Sequence, residues 1–231
     1  MINLLVDASS YEGVSRVAII FQSIYDLVPI AFFLLAAIIL LRALYNKMVK
    51  GAYVLFASGS IMIFVAGLLK ALHKFLIGAA QIDYVILDKQ FTSTQSLGFL
   101  LIFLSLVGMF TKYNKNFTRV RVSIIPLLIP FLAIVPFESS LPFIAIMVIG
   151  ALGMLSMLIY MSIRLKTYKA IIFFAIAIVS MLGMGYLSTK ADFSMAWIQI
   201  SINLLYQGGL LVGVLFLKKA GLDKEECFYK E

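Results

Sequence analysis

The chain has one cysteine, one histidine and one tryptophan in 231 residues, and only 13% of it is charged. One thiol, Cys227, allows no internal disulfide and no cysteine metal cage. The lone histidine, His73, has no second histidine or cysteine to complete a zinc set, so neither a metal nor a cofactor is expected. No Gly-x-Ser-x-Gly, no paired histidines and no phosphate-binding loop occur, and the reading leans away from an enzyme. A positive n-region ahead of the first apolar run is also missing, so no cleavable leader is expected.

What is present is apolar: 63% of residues are hydrophobic, and mean hydropathy is +1.06. A soluble domain is roughly 45–50% apolar and about 25% charged. A chain of this size cannot hide the excess in one core, so part of its solvent must be lipid. The net charge of +8 does not indicate nucleic acid. The basic residues fall in short runs between long apolar segments, which is a membrane pattern.

Seven stretches approach the 20 or so apolar residues that cross a bilayer as helix. They are about 17–42, 51–69 (continuing towards 78), 94–111, 120–137, 141–163, 168–188 and 195–217. Thr92, Ser93 and Thr94 read as capping candidates for the third. The runs are too long and too continuously apolar for the alternating strands of a membrane barrel. The expected fold is all-α: a seven-helix transmembrane domain over 17–217, a short outer leader over 1–16 and a cytoplasmic tail over 218–231.

Orientation follows from lysine and arginine. Arg42, Lys47 and Lys50 lie in the first connection, Lys112, Lys115, Arg119 and Arg121 in the third, and Arg164, Lys166 and Lys169 in the fifth. The tail adds Lys218, Lys219, Lys224 and Lys230, so fourteen of nineteen basic residues share one side. This bias places the N-terminus outside and the C-terminus in the cytoplasm, in a plasma (cytoplasmic) membrane. The sequon Asn116-Phe117-Thr118 then falls on the cytoplasmic side and carries no weight.

Polar groups inside membrane helices are costly and turn towards the bundle interior. Gln22 and Asp26 share a face of the first helix, four residues apart, with Pro29 a turn further on. Lys70, His73 and Lys74 share a face of the second. Gln95 opens the third. Gln199, Asn203 and Gln207 make a stripe at four-residue spacing along the seventh. Such residues serve as interhelical glue or as a ligand surface, and lysines near a boundary snorkel. The candidate ligand-binding residues are Gln22, Asp26, Lys70, His73, Gln95, Gln199, Asn203 and Gln207. An ion pair between Asp26 and Lys70 is expected, because both lie about 24–30 Å of helix from the first connection.

Two blocks of three helices also align. Lys50-Gly51-Ala52-Tyr53 matches Lys169-Ala170-Ile171-Ile172, and Gln95-Ser96-Leu97-Gly98 matches Gln207-Gly208-Gly209-Leu210, with the fourth stretch as linker. This 3+1+3 parallel plan resembles that of the SWEET-type sugar carriers. The resemblance is architectural: Val28-Pro29 and Leu141-Pro142 lack the glutamine that follows proline in that family. Seven helices in this orientation also resemble the microbial rhodopsins. The seventh helix has no lysine before Lys218, so no retinal Schiff base is expected. The expected function is binding or transport of a small polar molecule through an outward-opening cavity between helices one, two, three and seven. The alternative is a receptor-like or structural membrane component acting through helix packing and its basic cytoplasmic face. The expected partners are the lipid bilayer and a small polar ligand, not nucleic acid.

Overall fold

The computed structural model describes residues 14–110, 141–187 and 193–224. They form six α-helices: α1 (Arg16–Leu44), α2 (Lys50–Ala80), α3 (Val85–Phe110), α4 (Leu141–Arg164), α5 (Tyr168–Leu187) and α6 (Phe193–Lys219). No strand occurs among the described residues. The fourth apolar stretch (120–137), most of the leader, and the end of the tail with Cys227 lie outside them.

Five helices, α1 to α4 and α6, are long and apolar enough to cross a membrane, and α5 is a shorter apolar helix over Tyr168–Met184. Their apolar character runs all the way round. Val17, Phe21, Ile149, Ile172 and Val179 are exposed on the outside of the bundle, while Phe56, Phe99, Leu155 and Phe174 are buried within it. A helix apolar on every side belongs in lipid or in the core of a far larger protein. The chain is therefore an integral membrane protein by length and composition of its helices.

The helices pack in a ring, each against the next in chain order and α6 against α1. Pairs joined by short turns are antiparallel. Ser23 donates to Ala71 O at 2.8 Å between α1 and α2. Ser105 donates to Ala52 O at 2.7 Å between α3 and α2. Phe173 stacks on Phe216 between α5 and α6.

The other two neighbouring pairs are parallel. Along α3 and α4, Gly150 lies against Leu100 and Gly153 against Phe103, so both numbers rise together. Along α1 and α6, Tyr25 meets Trp197 and Phe32 meets Gly208. The bundle thus has an entry end, where the chain enters α1, α3, α4 and α6, and a far end, where these helices stop. Small residues set the closest approaches, as in membrane bundles generally. A Cβ on Gly98 would come within 2.8 Å of Gly59 O, so the α2 and α3 backbones touch there.

The expected continuation of α2 is found, and one helix boundary differs from expectation. α2 runs to Ala80, where Gln81 takes a left-handed conformation (φ 57°) and its N–H bonds Ile77 O. α3 begins at Val85, not near Thr94. Thr92, Ser93 and Thr94 therefore lie inside the helix rather than capping it, and Ser93 and Ser96 turn their hydroxyls back onto Gln90 O and Ser93 O. The extension brings Asp88 and Phe91 onto α3.

At the far end, Gly221 (φ 92°) terminates α6, and Leu222 N–H reaches back to Leu217 O. This is the glycine-ended helix stop expected where a left-handed residue is needed. Leu222 is fully buried, and its carbonyl accepts from Lys47 in the α1–α2 turn.

Candidate functional site

Polar side chains inside the bundle concentrate in the half towards the entry end. On α1, Asp26 Oδ2 accepts a 2.6 Å bond from Lys74 Nζ on α2, with both side chains at or below 10% exposure. The ion pair expected for Lys70 is therefore made by Lys74. Lys70 instead places its ammonium 4.5 Å from the centre of the Phe91 ring on α3.

The physical reason is side-chain direction. Helical side chains lean towards their own N-terminus and cover the preceding turn. The N-terminus of α2 is at the far end, so Lys74 leans down to the level of Asp26. Lys70 leans further still, past it.

A cavity opens beside this pair. It is lined by Asp26, Pro29, Ile30 and Phe33 from α1, Ile63, Gly67 and Lys70 from α2, Phe91 and Gln95 from α3, and Asn203 and Gln207 from α6. Its volume is about 60 Å³. At roughly 10–15 Å³ for each water, that is room for a handful of waters or one very small solute.

The cavity sits near the middle of its helices. Residue 30 lies midway between Arg16 and Leu44, residue 65 midway between Lys50 and Ala80, and residue 206 midway between Phe193 and Lys219. Phe33 packs edge-on against Phe99, and Phe99 against Tyr206, at 6.4 and 6.5 Å between ring centres. Beyond these rings, towards the far end, Ala36, Ala37, Leu40, Leu106, Leu158 and Val214 form a buried apolar core.

Of the eight candidate residues, Asp26, Lys70, Gln95, Asn203 and Gln207 come together around the cavity. Gln22, His73 and Gln199 do not line it. His73 Nε2 lies 2.8 Å from Asp83 Oδ1, which ties the α2–α3 connection to α2. Gln22 is fully buried, and neither its amide nitrogen nor its oxygen has a partner among the described residues. Gln207 Oε1 and the Tyr206 hydroxyl are likewise buried without a partner among them. A buried polar atom left unpaired is costly.

Sequence reasoning passed over Asp83, Asp88 and Phe91, and assigned Lys74 no partner. Asp88 is buried in the first turn of α3, within electrostatic reach of Lys70, His73 and Lys74. The signal for it was there: Asp88, Phe91 and Gln95 are spaced by three and four, one helical face. Among the described residues, no three of His, Cys, Asp or Glu gather closely enough to hold a metal ion.

No family model matches the chain, and neither a curated protein nor a solved structure is significantly similar to it. The reading of the site therefore rests on its own geometry.

Proposed function

We propose that the protein binds a small polar solute in this cavity, as a carrier or as the membrane subunit of one. The observation that carries the reading is the cavity's composition and depth. It lies at the midpoint of membrane-spanning helices, where transporter sites are built. It is lined by an acid, a base and three carboxamides, one of which has an oxygen with no partner among the described residues. The rival reading, a packing or receptor-like component, predicts amides buried against one another. Gln22 and Gln207 Oε1 lack such partners among the described residues.

The full architecture in this proposal has seven spans, with the N-terminus outside the plasma membrane and the C-terminus in the cytoplasm. Parallel packing of α3 and α4 supports an additional crossing. The chain leaves α3 at the far end and enters α4 at the entry end, and the interval 111–140 contains the apolar run 120–137. Arg42, Lys47, Lys50, Arg164, Lys166, Lys169, Lys218, Lys219 and Lys224 all lie at the far end, which supports a cytoplasmic assignment for it.

The 3+1+3 repeat gains support from matching contacts. Gly98 of α3 meets Gly59 of α2, and Gly209 of α6 meets Ala177 of α5. Counted from Lys50 and Lys169, and from Gln95 and Gln207, these positions correspond to within one residue.

Thiol labelling tests the cavity. Asn203→Cys in a Cys227→Ser background should react with a membrane-impermeant thiol reagent applied from outside intact cells. Phe33→Cys, on the cavity floor, should react more slowly, and Leu158→Cys in the dry core not at all. Protection of Asn203→Cys from the outside reagent would overturn the outward-opening cavity.

A further inference from the structure

We infer that the cavity takes a small zwitterion of glycine or alanine size, carrying one carboxylate and one ammonium group. The inference rests on the cavity reading above and adds the ligand's charge pattern to it. The lining contains one carboxylate, Asp26, and one ammonium, Lys70, and they do not pair with each other. Asp26 gives one oxygen to Lys74. Lys70 faces the Phe91 ring and makes no ion pair among the described residues. Two opposite charges therefore line the cavity without pairing with each other.

Groups of both signs surround the cavity: Lys70 and Lys74 stand near Asp26 and Asp88, and Asp83 is hydrogen-bonded to His73. A ligand with net negative charge is opposed by Asp26 and Asp88, and one with net positive charge by Lys70 and Lys74. A zwitterion meets neither penalty. Each of its charges also finds an opposite one, which matters because an uncompensated charge is expensive to bring out of water. Its carboxylate lies against the Lys70 ammonium. Its ammonium faces Asp26 and donates to Gln207 Oε1, the buried oxygen that has no protein partner among the described residues. A volume of about 60 Å³ is room for a molecule of this size.

The test uses the purified full-length protein in detergent, with glycine and L-alanine as probes. Acetate, methylammonium and glycerol supply each half of the chemistry alone. Isothermal titration and thermal unfolding should show saturable binding and a raised Tm with glycine or alanine, and neither with the three controls at equal concentration. Lys70→Met should weaken glycine binding about tenfold or more, the usual effect of losing a charge-assisted hydrogen bond.

Asp26→Asn should do the same. If it fails to fold because Lys74 is stranded, the Asp26→Asn, Lys74→Met double variant replaces it. Acetate binding as well as glycine overturns the inference in favour of an anion site, and methylammonium binding in favour of a cation site. If glycine and alanine are silent while the Asn203→Cys variant labels from outside, the zwitterion is wrong and the cavity reading stands. If that variant does not label, both fall.

Discussion

A lysine on a membrane helix carries its charge one turn or more away from its own Cα, in the direction of the helix N-terminus. In α2 this moves Lys74 onto Asp26 and Lys70 onto Phe91. The consequence is measurable by a double-mutant cycle on denaturation in detergent. Asp26→Asn or Lys74→Met alone should cost about 3–5 kcal/mol, because each strands a buried charge, and the double variant should cost much less than their sum. Lys70→Met should cost about 1 kcal/mol, the size of a cation–π contact. Strict additivity for Asp26 and Lys74 would show that they do not interact. The four-residue spacings of Gln22 with Asp26, Lys70 with Lys74 and Asn203 with Gln207 place these residues on common helix faces from sequence alone. They did not say which lysine meets Asp26. Spacing reports the angle around a helix, whereas the partner depends on side-chain lean and on the depth of the neighbouring helix.

Helix α3 shows how an element's start can be hidden. A serine and threonine cluster ahead of an apolar run has the look of a cap, yet Ser93 and Ser96 satisfy their hydroxyls on carbonyls of the same helix. The nine residues before Thr94 become helical because Asp88, Phe91 and Gln95 form a face against Lys70 and the cavity. Close helix contacts make a second prediction. A Cβ on Gly150 would meet Leu100 N at 2.6 Å and Phe99 C at 2.7 Å, both backbone atoms that cannot move aside. Gly150→Ala should therefore cost about 1–3 kcal/mol and lower Tm. Gly183, on α5, has nothing within 4 Å of such a Cβ. Gly183→Ala should be neutral or slightly stabilising, since alanine is the better helix former by about 1 kcal/mol. Equal effects at the two positions would contradict the packing of α3 on α4.

At the scale of the molecule, two parallel helix pairs, α1 with α6 and α3 with α4, carry the topology. Topology reporters fused after Lys50, Lys115, Lys166 and Lys224 should read cytoplasmic, and those near Gln81 and Ser140 external. The decisive comparison is Lys115 with Ser140: readings on the same side would remove the additional crossing between α3 and α4. Composition and the length of the apolar runs determined by themselves that this is an integral membrane protein of helices, because a chain of this size has too little polar surface to cover such runs in water. Periodicity likewise determined which faces carry polar groups. Only the tertiary structure decided which of those groups meet. It brought Asp26, Lys70, Gln95, Asn203 and Gln207 around one cavity, set His73 on Asp83, and left Gln22 buried outside the lining. The reason is that helix order in the bundle, and the vertical register between neighbours, depend on contacts such as Gly59 with Gly98 and Gly150 with Leu100. Those contacts join residues 39 and 50 positions apart, and no local pattern encodes the pairing.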